Sequence, residues 1–234
     1  MPTRPGARRV RRVAIPLCRD PFINNLLFPV GQEPGAPERF WISTWNSVAG
    51  CTGALVDETG AFHLYRFADP LKPGFYSVAA EDPDTLWLWG SLTEVTRLEL
   101  QTGRYESFPT GAPYGLVFHG MAYDPATGKL LAVANTYAGA GPTAVSFDTR
   151  RRETARVYER VAPDWCLHGH FANGDGAYTV LAECPGTSLL HWDPQAETIA
   201  PERLRDTMDL HAEMSAASYY RLVRDDAGRV YFPG

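Results

Sequence analysis

A chain of 234 residues with 44% hydrophobic content holds one large globular domain, and its formal net charge of −5 exerts no global pull on nucleic acid or anionic membrane. No apolar run approaches the ~20 residues that span a bilayer as a helix. The 19 prolines and 21 glycines suit a fold rich in turns.

Residues 1–20 carry Arg4, Arg8, Arg9, Arg11 and Arg12 ahead of the first acid, Asp20. The apolar stretch at 13–18 is too short for a secretory signal, and no aromatic residues interleave the arginines as a nucleic-acid arm would need. This segment reads as a disordered basic tail, and the compartment stays open.

From 21 to 234 the chain reads as short strands in groups of four. The first group takes a strand within 21–30, a Pro/Gly loop at 32–38, and strands at 40–46, 52–57 and 61–67. The second takes 75–81, 85–90, 94–100 and 104–108, and the third 116–123, 129–135, 143–147 and 153–158. The fourth takes 167–173, 177–183, 187–192 and a weaker outer strand near 197–200. Leu204, Met208 and His211 share one face of a short helix expected over 203–215. A fifth group starts at 218–223, turns at Asp225-Asp226-Ala227-Gly228 and begins a second strand at 229–232.

Two landmarks keep one period. The turn between third and fourth strands recurs at Asp57, Gln101, Asp148 and Asp193, at intervals of 44, 47 and 45 residues. The second strand recurs from Phe40, Leu86, Leu130 and Tyr178, at intervals of 46, 44 and 48. A four-stranded blade has two apolar faces and buries them only by stacking on its neighbours around an axis, so the reading is an all-β propeller. The blades fall at 21–67, 75–108, 117–158 and 167–200, with a partial one at 219–234. An open β-sandwich would give no reason for the period. Four blades and a hairpin imply a fragment, the remaining blades belonging to a longer parent chain of about six to eight blades. The alternative is a ring in which 21–67 completes the fifth blade, although those residues already supply the first.

In a propeller, the starts of first strands and the ends of second strands line one rim of the central channel. The starts are Ser77, His119, His168 and Tyr220, and the ends are Asn46, Ser91, Asn135 and Glu183. All eight are polar beside runs that are otherwise apolar, which marks a site for a small molecule, a carbohydrate or a protein partner. These groups would equally serve to satisfy backbone near a channel. Residues equidistant from the tip Gly174-Asp175-Gly176 should pair, so His168 faces Ala182 with Glu183 beside it. A carboxylate next to an imidazole raises its pKa and orients the ring for general-base work or metal ligation. The same count sets Cys166 opposite Cys184, while Cys18 and Cys51 show no partner pattern. His119, His168, His170 and His211 raise the further alternative of a multi-histidine metal site. Trp41, Trp87 and Trp89 lie inside strands and read as core between blades; Trp165, on a loop before His168, is the aromatic candidate for ligand contact. No Walker loop, nucleophile elbow, zinc-protease helix or paired C-x-x-C is present.

The run at 86–111, LWLWGSLTEVTRLELQTGRYESFPTG, resembles blades of streptogramin-lyase-like bacterial propellers, as does LVRDDAGRVYF at 222–232. That resemblance implies a channel-mouth histidine acting as base with a divalent cation in an ester-breaking elimination, a role open to His119 or His168. A gluconolactonase-like propeller is a comparable likeness. It implies a divalent ion, Mg or Ca, held by carboxylate and Asn groups at Asn46, Asn135 and Glu183.

Two functions therefore stand as expectations. One is a propeller module that binds its ligand or partner at the channel mouth. The other is a metal-assisted lyase or hydrolase in which Glu183 orients His168 as base.

Overall fold

The computed structural model describes residues 26–30, 38–43, 52–67, 75, 77–117, 121–136, 142–161, 167–172, 178–182, 188–203, 223–224 and 230–231. Every regular element among them is a strand, and every pairing is antiparallel.

The first blade is the meander β1 (Leu26–Val30), β2 (Arg39–Ser43), β3 (Thr52–Asp57) and β4 (Phe62–Arg66). The second comprises β5 (Ser77–Asp82), β6 (Thr85–Ser91), β7 (Glu94–Glu99) and β8 (Tyr105–Pro109). The third comprises β9 (Gly115–Leu116), β10 (Met121–Asp124), β11 (Lys129–Thr136), β12 (Pro142–Asp148) and β13 (Glu153–Tyr158). The fourth comprises β14 (Leu167–Ala172), β15 (Tyr178–Ala182), β16 (Ser188–Asp193) and β17 (Thr198–Arg203). A last pair, β18 (Val223–Arg224) and β19 (Val230–Tyr231), stands as its own two-stranded sheet. First strands of successive blades touch: β1 meets β5, β5 meets β10, and β10 meets β14.

Period-two alternation explains why the blades stack. On β6, Leu86 and Leu88 face a cluster with Trp41, Tyr65 and Phe67 of the first blade, while Trp87 and Trp89 face Met121, Leu130 and Phe147 of the third. On β11, Leu130, Ala132 and Ala134 face the second blade, and Leu131 and Val133 face Leu190 and Trp192 of the fourth. A middle strand is thus apolar on both sides, and all of β6 is buried. Outer strands alternate instead: on β8 Phe108 is buried while Glu106 and Pro109 are exposed. Trp41, Trp87, Trp89 and Trp192 are completely buried, so these indoles are blade-to-blade core.

Two elements differ from the sequence reading. The run expected as one strand over 116–123 contains the separate β9 and β10, because β9 bridges two blades: it pairs with β11 and also with Ser91 at the end of β6. The outer strand expected near 197–200 runs on to Arg203, where a helix was expected to begin. The rest of that helix, the basic tail and the Cys166 and Cys184 pair lie outside the described residues.

Three of the four turns between third and fourth strands share one device. Asp57, Asp148 and Asp193 each accept backbone N–H bonds from the turn that follows them. Hydrogen bonding to Thr59, foremost, holds the Asp57 carboxyl below the usual carboxylate range. Each turn then needs one residue at positive φ, supplied by Gly60, Gly103, Arg152 and Glu197, at 83°, 69°, 60° and 53°.

Candidate functional site

The rim predicted from sequence corresponds to one end of the inner hairpins. In the second blade, β5 begins where β6 ends: Ser77 pairs with Trp89, and Ser91 lies two residues further along. The chain leaving β8 folds back over this end. Thr110 N–H donates to Thr93 O at 2.9 Å, its hydroxyl donates to Leu92 O, and Leu92 N–H donates to Gly115 O at 2.8 Å. Val117 N–H then donates to Gly90 O at 3.0 Å. These bonds set Leu116 opposite both Ser91 and Asn135, so β9 joins two second-strand ends from neighbouring blades.

The predicted residues divide by what each does here. Ser91 is buried, and its hydroxyl lies 3.0 Å from the Thr93 hydroxyl and accepts from Thr93 N–H at 3.3 Å, closing the β6–β7 turn. Ser77 is 1% exposed, and its hydroxyl has no hydrogen-bond partner among the described residues. The indole N–H of Trp89, its partner across the ladder, is likewise buried without an acceptor among the described residues. Two such groups on one rung of an inner hairpin are uncommon, since a buried polar group left unsatisfied costs about 1–3 kcal/mol.

Asn135 sits at the end of β11, next to β9. His168 lies in β14, inside an irregularity between Leu167 and His170. The centred pairing holds for His170 with Val180 and for Ala172 with Tyr178. Beyond the bulge it shifts by one, so Leu167 rather than His168 stands opposite Ala182. Asn46, His119, Trp165, Glu183 and Tyr220 lie outside the described residues. Among the described residues, no three His, Cys, Asp or Glu side chains gather as a metal-binding set.

Tyr114 is a residue the sequence reading passed over. It immediately precedes β9 and is 51% exposed, one of two large exposed hydrophobic residues among those described. Its signal was weak, because Ala112-Pro113-Tyr114-Gly115 reads as an ordinary turn until Gly115 is seen to bridge two blades.

No protein-family model matches the chain, and no curated protein matches it by sequence. Solved structures do match. Hydrazine synthase of Kuenenia stuttgartiensis aligns with a TM-score of 0.58 and 12% identity, over 82% of this chain and 58% of that one. The Dos1 propeller aligns with a TM-score of 0.55 and 8% identity, over 83% of this chain and 49% of that one. U3-55K aligns with a TM-score of 0.53 and 11% identity, over 70% and 47% respectively. The chain thus spans about half the length of the structures it resembles. At these identities the likeness concerns the fold, which is that of a β-propeller.

Proposed function

We propose that the chain is a β-propeller module that binds a small polar molecule, a carbohydrate or a protein partner at the end of its inner hairpins. The observation that carries this reading is the junction at β9, where the backbone of Leu116 pairs with both Ser91 and Asn135 and the exposed Tyr114 lies two residues before it. An exposed aromatic side chain where two second strands end offers a stacking surface for sugars and peptides. Ser77, His119, His168, Tyr220, Asn46, Trp165 and Glu183 extend this rim in the proposal, by their positions at strand starts, strand ends and the loop before β14.

A second reading is favoured by the bulge at His168, since bulges re-aim side chains beside active sites. In it His168 is the base of a lyase or hydrolase, streptogramin-lyase-like or lactonase-like, with Glu183 orienting it, His119 contributing, and Mg or Ca polarising the substrate.

One experiment separates the two. Thermal shifts are read for the whole chain against monosaccharides, hydroxy acids and peptides, with Mg or Ca added or withheld. The module reading expects a ligand whose stabilisation survives chelation and falls at least ~10-fold in apparent affinity in Tyr114→Ala and Asn135→Ala. The enzyme reading expects stabilisation by the cation itself, lost in His168→Ala together with turnover of an ester or lactone. A ligand whose effect ignores all three substitutions would contradict both.

A further inference from the structure

The chain is negative overall, yet one groove on its outer edge is built around three guanidinium groups. Arg97 in β7, Arg104 and Tyr105 where β8 begins, and Arg152 in the turn before β13 line a cavity of about 420 Å³, with Glu99 and Glu106 between them. The groove lies between the second and third blades, at the end opposite the rim. We propose that it binds a phosphate monoester dianion, a site separate from the one at the inner hairpins.

Convergence is the first reason. Arg97, Arg104 and Arg152 reach one groove from two blades, and with Glu81 3.9 Å from Arg97 the carboxylates around them number three, so an anion binds there by taking guanidinium donors from Glu99 and Glu106 rather than by neutralising an excess of charge. Unspent donors are the second. Among the described residues the Arg152 side chain makes a single hydrogen bond, to Glu106 at 3.2 Å, and Arg104 directs both Nε and a terminal nitrogen at one oxygen of Glu99, at 3.2 and 3.0 Å. A guanidinium has five donors in a planar fork, so most of this capacity is left for a guest.

The existing ion pairs are weak competitors. The side chains of Arg104, Arg152 and Glu106 are 77%, 51% and 59% exposed, and pairs so exposed contribute little. Arg97 is the fixed member: only 24% exposed, it is held by Glu99 at 3.0 Å and by the Thr85 hydroxyl at 3.4 Å.

Geometry favours phosphate over a carboxylate. Arg152 is presented from a left-handed backbone position, φ 60°, with its guanidinium 5.9 Å from the Phe108 ring centre. Arg104 comes from the neighbouring blade, beside β8, whereas Arg152 precedes β13. A tetrahedral dianion offers oxygens to both, whereas a single carboxylate would only repeat what Glu106 already does.

The test is calorimetric titration of the whole chain with inorganic phosphate and with a phosphoserine peptide, at constant ionic strength. Saturable binding is expected, weakened at least ~10-fold by the double substitution Arg104→Gln and Arg152→Gln and unchanged by Arg150→Gln with Arg151→Gln. Glu106→Gln, which frees Arg152, should tighten it. A peptide preferred over phosphate would place the dianion on a partner protein, and equal affinities would make it a free phosphoester; either supports the site. Failure of both probes to saturate, binding that survives the double substitution, or Glu106→Gln without effect would overturn it.

Discussion

Gly53 shows how one residue governs the first blade interface. A Cβ built there would stand 2.0 Å from Cζ2 of Trp41, whose ring is completely buried and packs 5.5 Å from Tyr65. The indole is wholly buried, so Gly53→Ala should cost about 1–3 kcal/mol, the usual penalty for overpacking a core. Gly103 makes the contrast. It has φ 69° and no close backbone neighbour, so Gly103→Ala should cost only the ~1 kcal/mol of a left-handed alanine. Urea midpoints of the two variants check the order, and equal losses would mean that Trp41 can give way. The tryptophan core was legible in the sequence, because Trp87 and Trp89 sit two apart in an apolar run that must face another sheet. Gly53 was not, since its constraint comes from the ring of Trp41 on the neighbouring strand.

Among the elements, the turns between third and fourth strands carry the clearest change of role along the chain. In the first two blades glycine fills the left-handed position; in the third and fourth, Arg152 and Glu197 do, and each reaches back to the preceding blade. Glu197 is the stronger clasp. Its carboxylate accepts from the Tyr158 hydroxyl at 2.7 Å and from the Ser146 hydroxyl at 3.4 Å, and it pairs with Lys129. Its backbone carbonyl accepts from Arg156 at 2.8 Å, while Lys129 also donates to Pro194 O at 2.8 Å. Burial first, then the bond to Glu197, pushes the Tyr158 phenol above its ordinary range. Glu197→Gly would relieve the backbone but take the carboxylate from Tyr158 and leave Lys129 only its bond to Pro194 O, so a net loss of about 1–3 kcal/mol is expected. Glu197→Gln, keeping the bond to Tyr158, should lose less. A Glu197→Gly protein more stable than the parent, by chemical denaturation, would show that the clasp contributes nothing. The aspartates that open these turns were visible as a repeat. The clasp was not, because a charged residue after a turn normally reads as solvated.

At the scale of the molecule, the sequence revealed the repeat because period is a global property that survives local variation in each strand. It did not reveal β9, which depends on the chain after β8 folding back over its own blade, a contact with no periodic signature. Nor did it reveal the shift at His168, since a bulge adds one residue without altering the apolar pattern. The strand ends at Ser77, Ser91 and Asn135 were legible from the repeat, and the groove of arginines was not, because its members come from two blades and each reads alone as surface charge. All of this rests on consecutive sheets stacking face to face, with alternate residues of one strand belonging to different interfaces. Proton nuclear Overhauser contacts of β6 test that most directly. The rings of Trp87 and Trp89 should show contacts to Met121 and Phe147, with Trp87 and Phe147 ring centres 5.6 Å apart, while the methyls of Leu86 and Leu88 should show them to Tyr65 and Phe67. Tryptophan and leucine of β6 sharing the same set of partners would contradict the stacked blades.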